Sequence, residues 1–239
     1  MRAPYGLEII ENCLSCKLRA DRLFCDLPDE TMRAFDSINY PTTFPKGAML
    51  FVEGQSPRGI FVLCTGRTKL STCSSDGKTL ITQIAEPGEL LGLSATVSGK
   101  PYEVTGETLD PCQVKFVRRD DFLQFLREHG DACLRVAQLL SNNYITAYEQ
   151  VRSLGLSHTA AEKLAKFLLD WGAKNGTETE QGIRLKLTLT HEEIAQLIGS
   201  SRETVTRMLG DLKSKKMIQV KGSTLLICDK SALEALVMS

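Results

Sequence analysis

The sequence predicts an α+β protein in which an antiparallel all-β unit, a long amphipathic helix and a winged helix-turn-helix follow one another. Three observations predict it. Between Tyr40 and Arg118 short apolar runs alternate with turn signals at Pro45-Lys46-Gly47, Glu53-Gly54, Thr65-Gly66, Asp76-Gly77 and Pro87-Gly88, the spacing of hairpin-linked strands. From Asp131 to Leu154 one residue set recurs in alternating steps of four and three, the period of a helix that packs along a single seam. Further on, Thr190 is followed three residues later by Glu193, and Ser200 by Glu203, two capping boxes that open two short helices on either side of Gly199.

A chain of 239 residues suits two domains, each able to bury its own core. Its 29 Lys and Arg balance 29 Asp and Glu, so any affinity for a polyanion has to come from local basic groups. No apolar run reaches transmembrane length, and the start, MRAPYGLEIIENC, lacks the apolar core of an export signal. The expected location is therefore the cytoplasm, with no membrane partner. There, eight cysteines point to metal or redox chemistry rather than to structural disulfides.

Residues 1–27 contain the polar run ENCLSCKLRADRLFCDL, with too few apolar residues to form a core. Three thiols in such an arm, Cys13, Cys16 and Cys25, need a chemical reason. Lys17, Arg19 and Arg22 lie beside them in sequence and would partly offset thiolate charge. Cys64, Cys73, Cys133 and Cys228 sit in apolar or alternating segments and read as small buried hydrophobes.

The next expected domain, residues 28–130, opens with a helix over Asp29 to Ile38 whose inner face is Met32, Phe35 and Ile38. Strands are expected over Met49 to Val52, Ile60 to Cys64, Thr68 to Thr72, Thr79 to Ile84 and Gln113 to Val117, then a helix over Asp120 to Arg127. Residues 131–156 form the long helix and its hinge. Cys133, Ala137, Leu140, Tyr144, Ala147, Val151 and Leu154 make the seam, read as the contact between two copies of the chain. A helix packed on its own β-unit would show the same period.

After a hinge at Gly155 to Ser157, residues 157–239 form the last domain. A helix over Thr159 to Gly172 turns Leu164, Phe167, Leu168 and Trp171 inward, and a polar loop at Lys174 to Gly182 precedes a strand over Arg184 to Leu189. Then come the two capped helices, a hairpin wing over Ile218 to Val220 and Thr224 to Ile227, and a last helix capped by Ser231 with Glu234. At roughly 100° per residue, Val205, Met208, Leu209 and Leu212 share one arc of the second capped helix, while Arg202, Glu203, Thr206 and Arg207 share the other. Arg can donate twice to a guanine edge and Glu can accept from cytosine. Ser201, Arg202, Glu203, Thr206 and Arg207 are thus candidates for reading double-stranded DNA, and Lys213, Lys215, Lys216 and Lys221 for meeting its phosphates.

The run Ser201-Arg202-Glu203-Thr204-Val205-Thr206-Arg207 resembles the recognition helix of the Crp/Fnr superfamily of bacterial transcription regulators, in particular its catabolite activator branch. The resemblance implies that the β-unit is a double-stranded β-roll of the cyclic-nucleotide-binding kind. It also implies that the long helix joins a homodimer, and that the partners are palindromic DNA and RNA polymerase. In the catabolite activator branch a Gly-Glu pair and a later Arg-Ser pair hold cyclic AMP. Gly88-Glu89 matches the first pair, but Gly99-Lys100-Pro101-Tyr102 stands near the second and has no Arg; a cyclic phosphate there would lose its bidentate cation.

The oxygen-sensing branch, named for fumarate and nitrate reduction, binds a 4Fe-4S cluster on an N-terminal cysteine group plus one distant cysteine late in the roll. Cys13, Cys16 and Cys25 resemble the group, and Cys112, after Glu107-Thr108-Leu109-Asp110-Pro111, resembles the distant ligand. Cys25 comes several residues later than its counterpart, so a wider loop has to close. The same four thiols could instead hold zinc or cycle through a disulfide. With no G-x-G-x-x-G and no H-E-x-x-H, an enzyme is not expected.

The DNA-reading assignment predicts a palindrome with half-sites about one helical turn apart. Arg202→Ala should cost about 1 to 3 kcal/mol on that site and relax the choice at one base pair, whereas Lys216→Ala should weaken all sequences alike. Titrations in which Arg202→Ala weakens specific and random duplexes equally would contradict it.

Overall fold

The computed structural model describes residues 4–155 and 159–237, except the side chains of residue 150 and of 152–155 within the long helix. The chain divides into two units, Met1–Tyr148 and Glu149–Ser239. In the first, α1 (Asp29–Ile38) leads into β1 (Asn39–Phe44), β2 (Met49–Phe51), β3 (Gly59–Thr65), β4 (Thr68–Cys73), β5 (Thr79–Ala85) and β6 (Leu90–Leu91). There follow the short α2 (Leu93–Ser98), β7 (Thr105–Thr108), β8 (Cys112–Arg118), α3 (Arg119–Glu128) and α4 (Gly130–Gly155). Two antiparallel sheets form, ordered β1-β8-β3-β6 and β2-β7-β4-β5. β1, β6, β7 and α2 were not expected from the sequence. β1 is an edge strand that carries Pro41 and has no buried residue, so neither a clean alternation nor a strand-forming composition marks it.

Alternation sorts β3 and β8 onto two faces. Phe61 and Leu63 of β3, with Cys112, Val114 and Phe116 of β8, turn inward between the sheets onto Phe51, Leu91 and Tyr102. Ile60, Val62 and Val117 turn to the other face, where they join Met32, Phe35, Phe122 and Phe125 of the helices. Phe24 and Leu27 complete this second cluster and are almost fully buried. The arm, expected to lack the apolar residues for a core, thus supplies part of one. Burying those two side chains favours the docked arm by roughly 3 to 6 kcal/mol before chain entropy is counted.

Polar contacts pin the arm to β8 as well. The Gln113 side chain accepts from the Ile10 amide and donates to the Ile10 carbonyl, each at 2.8 Å, as a neighbouring strand would. Lys115, the next residue on that face, is fully buried, and its ammonium donates to the Glu11 carbonyl at 3.3 Å and to Asp36 Oδ1 at 2.6 Å.

α4 starts in the same core through Ala132 and Val136, with Leu139 and Leu140 packed beside them. Its other face is bare. Leu134, Tyr144, Ile145, Tyr148 and Val151 are all more than half exposed, and Cys133, Ala137 and Ala147 are exposed with them. The expected seam is therefore turned away from the unit's own core except at Leu140, which is half-buried. The apolar face also extends further round the helix than the seam, to Ile145 and Tyr148. The Leu154 side chain, and the hinge expected at Gly155 to Ser157 beyond Gly155, lie outside the described residues.

In the second unit Thr159 caps α5 (Ala160–Asn175) by accepting from the Glu162 amide. β9 (Gly176–Thr179) and β10 (Gly182–Lys186) follow, then α6 (His191–Ile198) and α7 (Arg202–Ser214), β11 (Ile218–Lys221) and β12 (Thr224–Ile227), and α8 (Lys230–Val237). The sheet order is β11-β12-β10-β9. The expected polar loop at 174–182 is thus largely the end of α5 and a strand, β9, that pairs only with β10. The expected capping box of Thr190 with Glu193 is present, but α7 is capped by Ser201 accepting from Thr204, not by Ser200 with Glu203. α8 starts on Asp229, which accepts from the Ala232 amide, rather than on Ser231. The α7 cap thus stands one residue after the one expected and the helix starts that much later, whereas the α8 cap stands two residues before the one expected and that helix starts that much earlier.

Two outcomes are expected from these contacts. Lys115→Met removes the ammonium's two bonds to the arm, at the Glu11 carbonyl and at Cys13 Sγ, and should weaken the dock by about 2 to 3 kcal/mol, read as faster proteolysis within residues 4–27 while the roll resists. Replacing Tyr144 and Tyr148 together by Lys should leave the helix content unchanged and raise the dimer dissociation constant about tenfold or more, roughly 1.4 kcal/mol. Unchanged sedimentation of that variant would remove this face from the dimer contact.

Candidate metal centre and nucleic-acid interface

In the arm, the Cys16 amide bonds back to the Cys13 carbonyl and the Arg19 amide to the Cys16 carbonyl, two turns that fold the C-x-x-C segment compactly. Arg19 then ties the wide loop shut, donating to the carbonyls of Cys25 and Leu27 and pairing with Asp29 at 2.8 Å. The result brings Cys13, Cys16 and Cys25 to one small cavity of about 30 Å³, whose other walls include Phe24, Met32, Phe35, Val62 and Gly88. Cys64 of β3 lines the same cavity. Cys112 does not. It is fully buried in the other face of the sheet, in phase with Val114 and Phe116, with its sulfur near the Arg67 and Asp110 carbonyls and Thr68. Of the expected set of Cys13, Cys16, Cys25 and Cys112, the structure therefore brings the first three together and leaves Cys112 on the opposite face, because residues in odd and even register on a strand face opposite sides.

The electrostatics follow the same grouping. Burial pushes the Cys13 thiol up to about 11, against a hydrogen bond from Lys115 that favours the thiolate. Burial, then the charges of Cys13 and Cys16, push Cys25 to about 11. Burial, then Cys13, push Cys64 to about 12, with Cys25 and Cys16 also acting on it. Burial raises Cys112 too, but the charge that acts on it is Asp110. Lys115 reaches Cys13 Sγ at 3.1 Å. Burial alone would lower the Lys115 pKa, yet its bonds to Asp36 and Cys13 hold it above the usual value. Asp36 is pushed up by burial and pulled down further by Lys115 and Asn39, for a net fall. A charged ammonium therefore stands behind the cavity lining, bonded to the sulfur of Cys13. The sequence had suggested Lys17, Arg19 and Arg22 for that task; Arg19 is occupied by carbonyls, Arg22 acts on Cys25, and Lys115 went unnoticed.

Four thiols, an apolar wall and one ammonium are a donor set suited to a metal centre with thiolate ligands. Among the described residues no group of three His, Cys, Asp or Glu side chains is so placed as to hold a metal ion. Of the four cysteines read as small buried hydrophobes, Cys73 and Cys133 are exposed and Cys64 and Cys228 half-buried. The Gly88-Glu89 pair, read as half of a cyclic-nucleotide cradle, is taken up from within the chain. A Cβ at Gly88 would lie 2.4 Å from Cγ of Arg22, so the arm packs directly on that backbone, and Glu89 accepts from Gln83.

In the second unit, Gly199 closes α6 in the left-handed conformation, φ 64°, which costs glycine little. α7 begins three residues later. Val205, Met208, Leu209 and Leu212 are buried, and Arg202, Glu203, Thr206 and Arg207 are exposed on the opposite face, as the periodicity required. The Ser201 hydroxyl caps the helix, and the Thr206 hydroxyl donates to the Arg202 carbonyl at 2.9 Å and lies 2.8 Å from Nδ1 of His191. His191, at the first position of α6, was not singled out in the sequence, since a lone His at a helix start carries no periodic signal. Lys216 and Lys221 are exposed. Lys216, just past the end of α7, has φ 58°, a conformation disfavoured for a side-chain-bearing residue.

Residues 41–129 match the cyclic nucleotide-binding domain family and residues 162–236 the Crp-like helix-turn-helix domain family. The chain is 25% identical over 193 residues to the CRP-like cAMP-activated global transcriptional regulator of Mycobacterium tuberculosis, covering 81% of this chain and 86% of that protein. It is 26% identical over 229 residues to the transcriptional activator protein FnrA of Stutzerimonas stutzeri, covering 94% and 92%. The structure of FixK2 from Bradyrhizobium japonicum superposes with a TM-score of 0.73 at 20% identity, over 83% of this chain and 97% of that one. Among the described residues no helix is long and apolar enough to cross a membrane. A cyclic-nucleotide-binding type roll joined to a Crp-like helix-turn-helix is the architecture of regulators that bind DNA and act as dimers, and the chain belongs to this family, the Crp/Fnr transcription regulators.

Proposed function

We propose that this regulator reads palindromic DNA through Arg202, Glu203 and Arg207, acts with RNA polymerase, and is controlled by a 4Fe-4S cluster held by the cysteines of its arm. The observation that carries the reading is the meeting of Cys13, Cys16 and Cys25 at one apolar cavity, with the buried Lys115 ammonium bonded to the Cys13 sulfur. A single zinc ion needs four thiolates about 2.3 Å from one point. A cubane cluster asks for four thiolates that need not converge on one point. The match to the Fnr-named activator covers 94% of the chain and so takes in part of the arm, while the match to the cAMP-activated regulator covers 81%.

When bound, such a cluster supplies sensitivity to oxygen. The chain's own part is to hold the arm in one of two states. Thiols that sit protonated in the cavity must give up their protons to become ligands, so assembly and arm conformation are linked. The cavity is on the order of two waters in size by the same measure, so loading it requires the arm to shift. Phe24, Met32 and Phe35 line the cavity and also share the core with Ala132 and Val136 of α4. Asp26 of the arm faces Arg135 at 4.0 Å, and Thr31 donates to Asp131 at 2.8 Å. A shift of the arm therefore bears on the first turns of the helix that carries the exposed apolar face.

Protein purified without oxygen should be straw-brown, carry about four iron and four sulfide per chain, and bleach in air, with affinity for its palindrome changing about tenfold or more between the two states. Colourless protein holding only zinc, or equal affinity before and after air, would overturn the reading.

A further inference from the structure

The arm brings three thiols to the cavity, and the position expected to supply a fourth lies on the wrong face of β8. We propose that Cys64 of β3, and not Cys112, is the fourth thiolate of the centre, with the Lys115 ammonium as its built-in counter-charge; this rests on the cluster reading above.

Strand geometry carries the argument. On β8, Gln113 and Lys115 face the arm and bond to it, while Cys112, Val114 and Phe116 face between the sheets. For Cys112 to reach the arm thiols, β8 would have to slip by one residue, which would carry Gln113 and Lys115 into the apolar interior and Val114 out of it. On β3 the even positions Ile60 and Val62 face the arm side, and Cys64 continues that series. The pairing of β3 with β8 also breaks here: Leu63 is opposite Val114 and Thr65 opposite Gln113, so Cys64 is the extra residue of a β-bulge. A bulge leaves one residue outside the ladder and re-aims its side chain. The side chain so released lines the cavity beside Cys13, Cys16 and Cys25.

Charge is the second argument. Four thiolates on a cluster core bring net negative charge into an apolar wall, which is costly unless a cation is close and hydrogen-bonded. Lys115 is fully buried and donates to Cys13 Sγ, to Asp36 and to the Glu11 carbonyl. It comes from the strand that pairs with β3, two positions beyond the bulge's partner Gln113. The late position of Cys25 fits the same arrangement, because the wide loop closed by Arg19 carries Cys25 over to the cavity that β3 walls.

The full-length chain and its Cys64→Ala, Cys64→Ser and Cys112→Ala variants are to be prepared without oxygen and loaded with ferrous iron and sulfide. Iron, acid-labile sulfide and visible absorbance are then measured beside the circular dichroism spectrum. Cys64→Ala should hold on the order of tenfold less iron and sulfide than wild type. Cys64→Ser should lose cluster or keep it with a shifted absorbance from oxygen ligation, and Cys112→Ala should keep the wild-type content and spectrum. If Cys112→Ala does not fold, Cys112→Val, which fills the same packing space, replaces it. Cys64→Ala with a full cluster overturns the proposal, as does loss of the cluster from a folded Cys112 variant. In either case a loaded wild type leaves the cluster reading standing. A wild type that takes up no iron and sulfide overturns both.

Discussion

An ammonium group buried in the face of a sheet has to be surrounded by acceptors, and in this protein that requirement organises the sensory unit. Lys115 finds a carboxylate on α1, a carbonyl on the arm and a thiol on the arm, so two separate stretches of chain are fixed relative to β8 by one side chain. A lysine so placed is costly alone and stable only with its partners. Gln113, two residues earlier on the same face, extends the dock by pairing with Ile10 as a strand would. The arm is therefore a structural part of the roll, and the thiols it carries reach the cavity only because it is docked there.

The docked arm matters because of what shares its core. Phe24 lies 5.1 Å from Phe35 and 6.4 Å from Phe122, ring to ring, and Phe35 lies 5.5 Å from Phe125. This aromatic group separates the thiol cavity from the first turns of α4, where Ala132 and Val136 close it. Packed aromatic cores respond to displacement by repacking rather than by stretching. A centre that moves the arm on one side of the group thus biases α4 on the other. The bare face of α4, with Tyr144 and Tyr148 stacked along it, is where such a bias would change pairing between chains.

Much of this was legible in the sequence. The helix-turn-helix was readable because caps and a 3.6-residue period are local signals, and the errors there were a cap placed at Ser200 instead of Ser201 and one at Ser231 instead of Asp229. That Cys13, Cys16 and Cys25 come together was readable, since they stand close in one short arm. The presence of Cys64 at the same cavity was not. A motif resemblance pointed to Cys112, while the alternation Cys112, Val114, Phe116 against Gln113, Lys115 in the same stretch already separated it from a polar face. Cys64 carried no comparable mark, because β3 is apolar on both faces and a bulge is set by pairing with β8, far away in sequence. β1 escaped because its edge position and Pro41 hide the pattern. The role of Lys115 escaped because a single lysine among apolar residues looks the same whether its end reaches water or an acceptor.

The claim at the centre of this account is that the state of the thiol centre is felt by α4 through the arm. Hydrogen–deuterium exchange of the full chain, loaded without oxygen and again after the cluster is removed, tests it directly. The account predicts that exchange changes together in residues 4–27 and in the first turns of α4, around residues 131–140. A change confined to the arm, with α4 exchanging identically in both states, would contradict it.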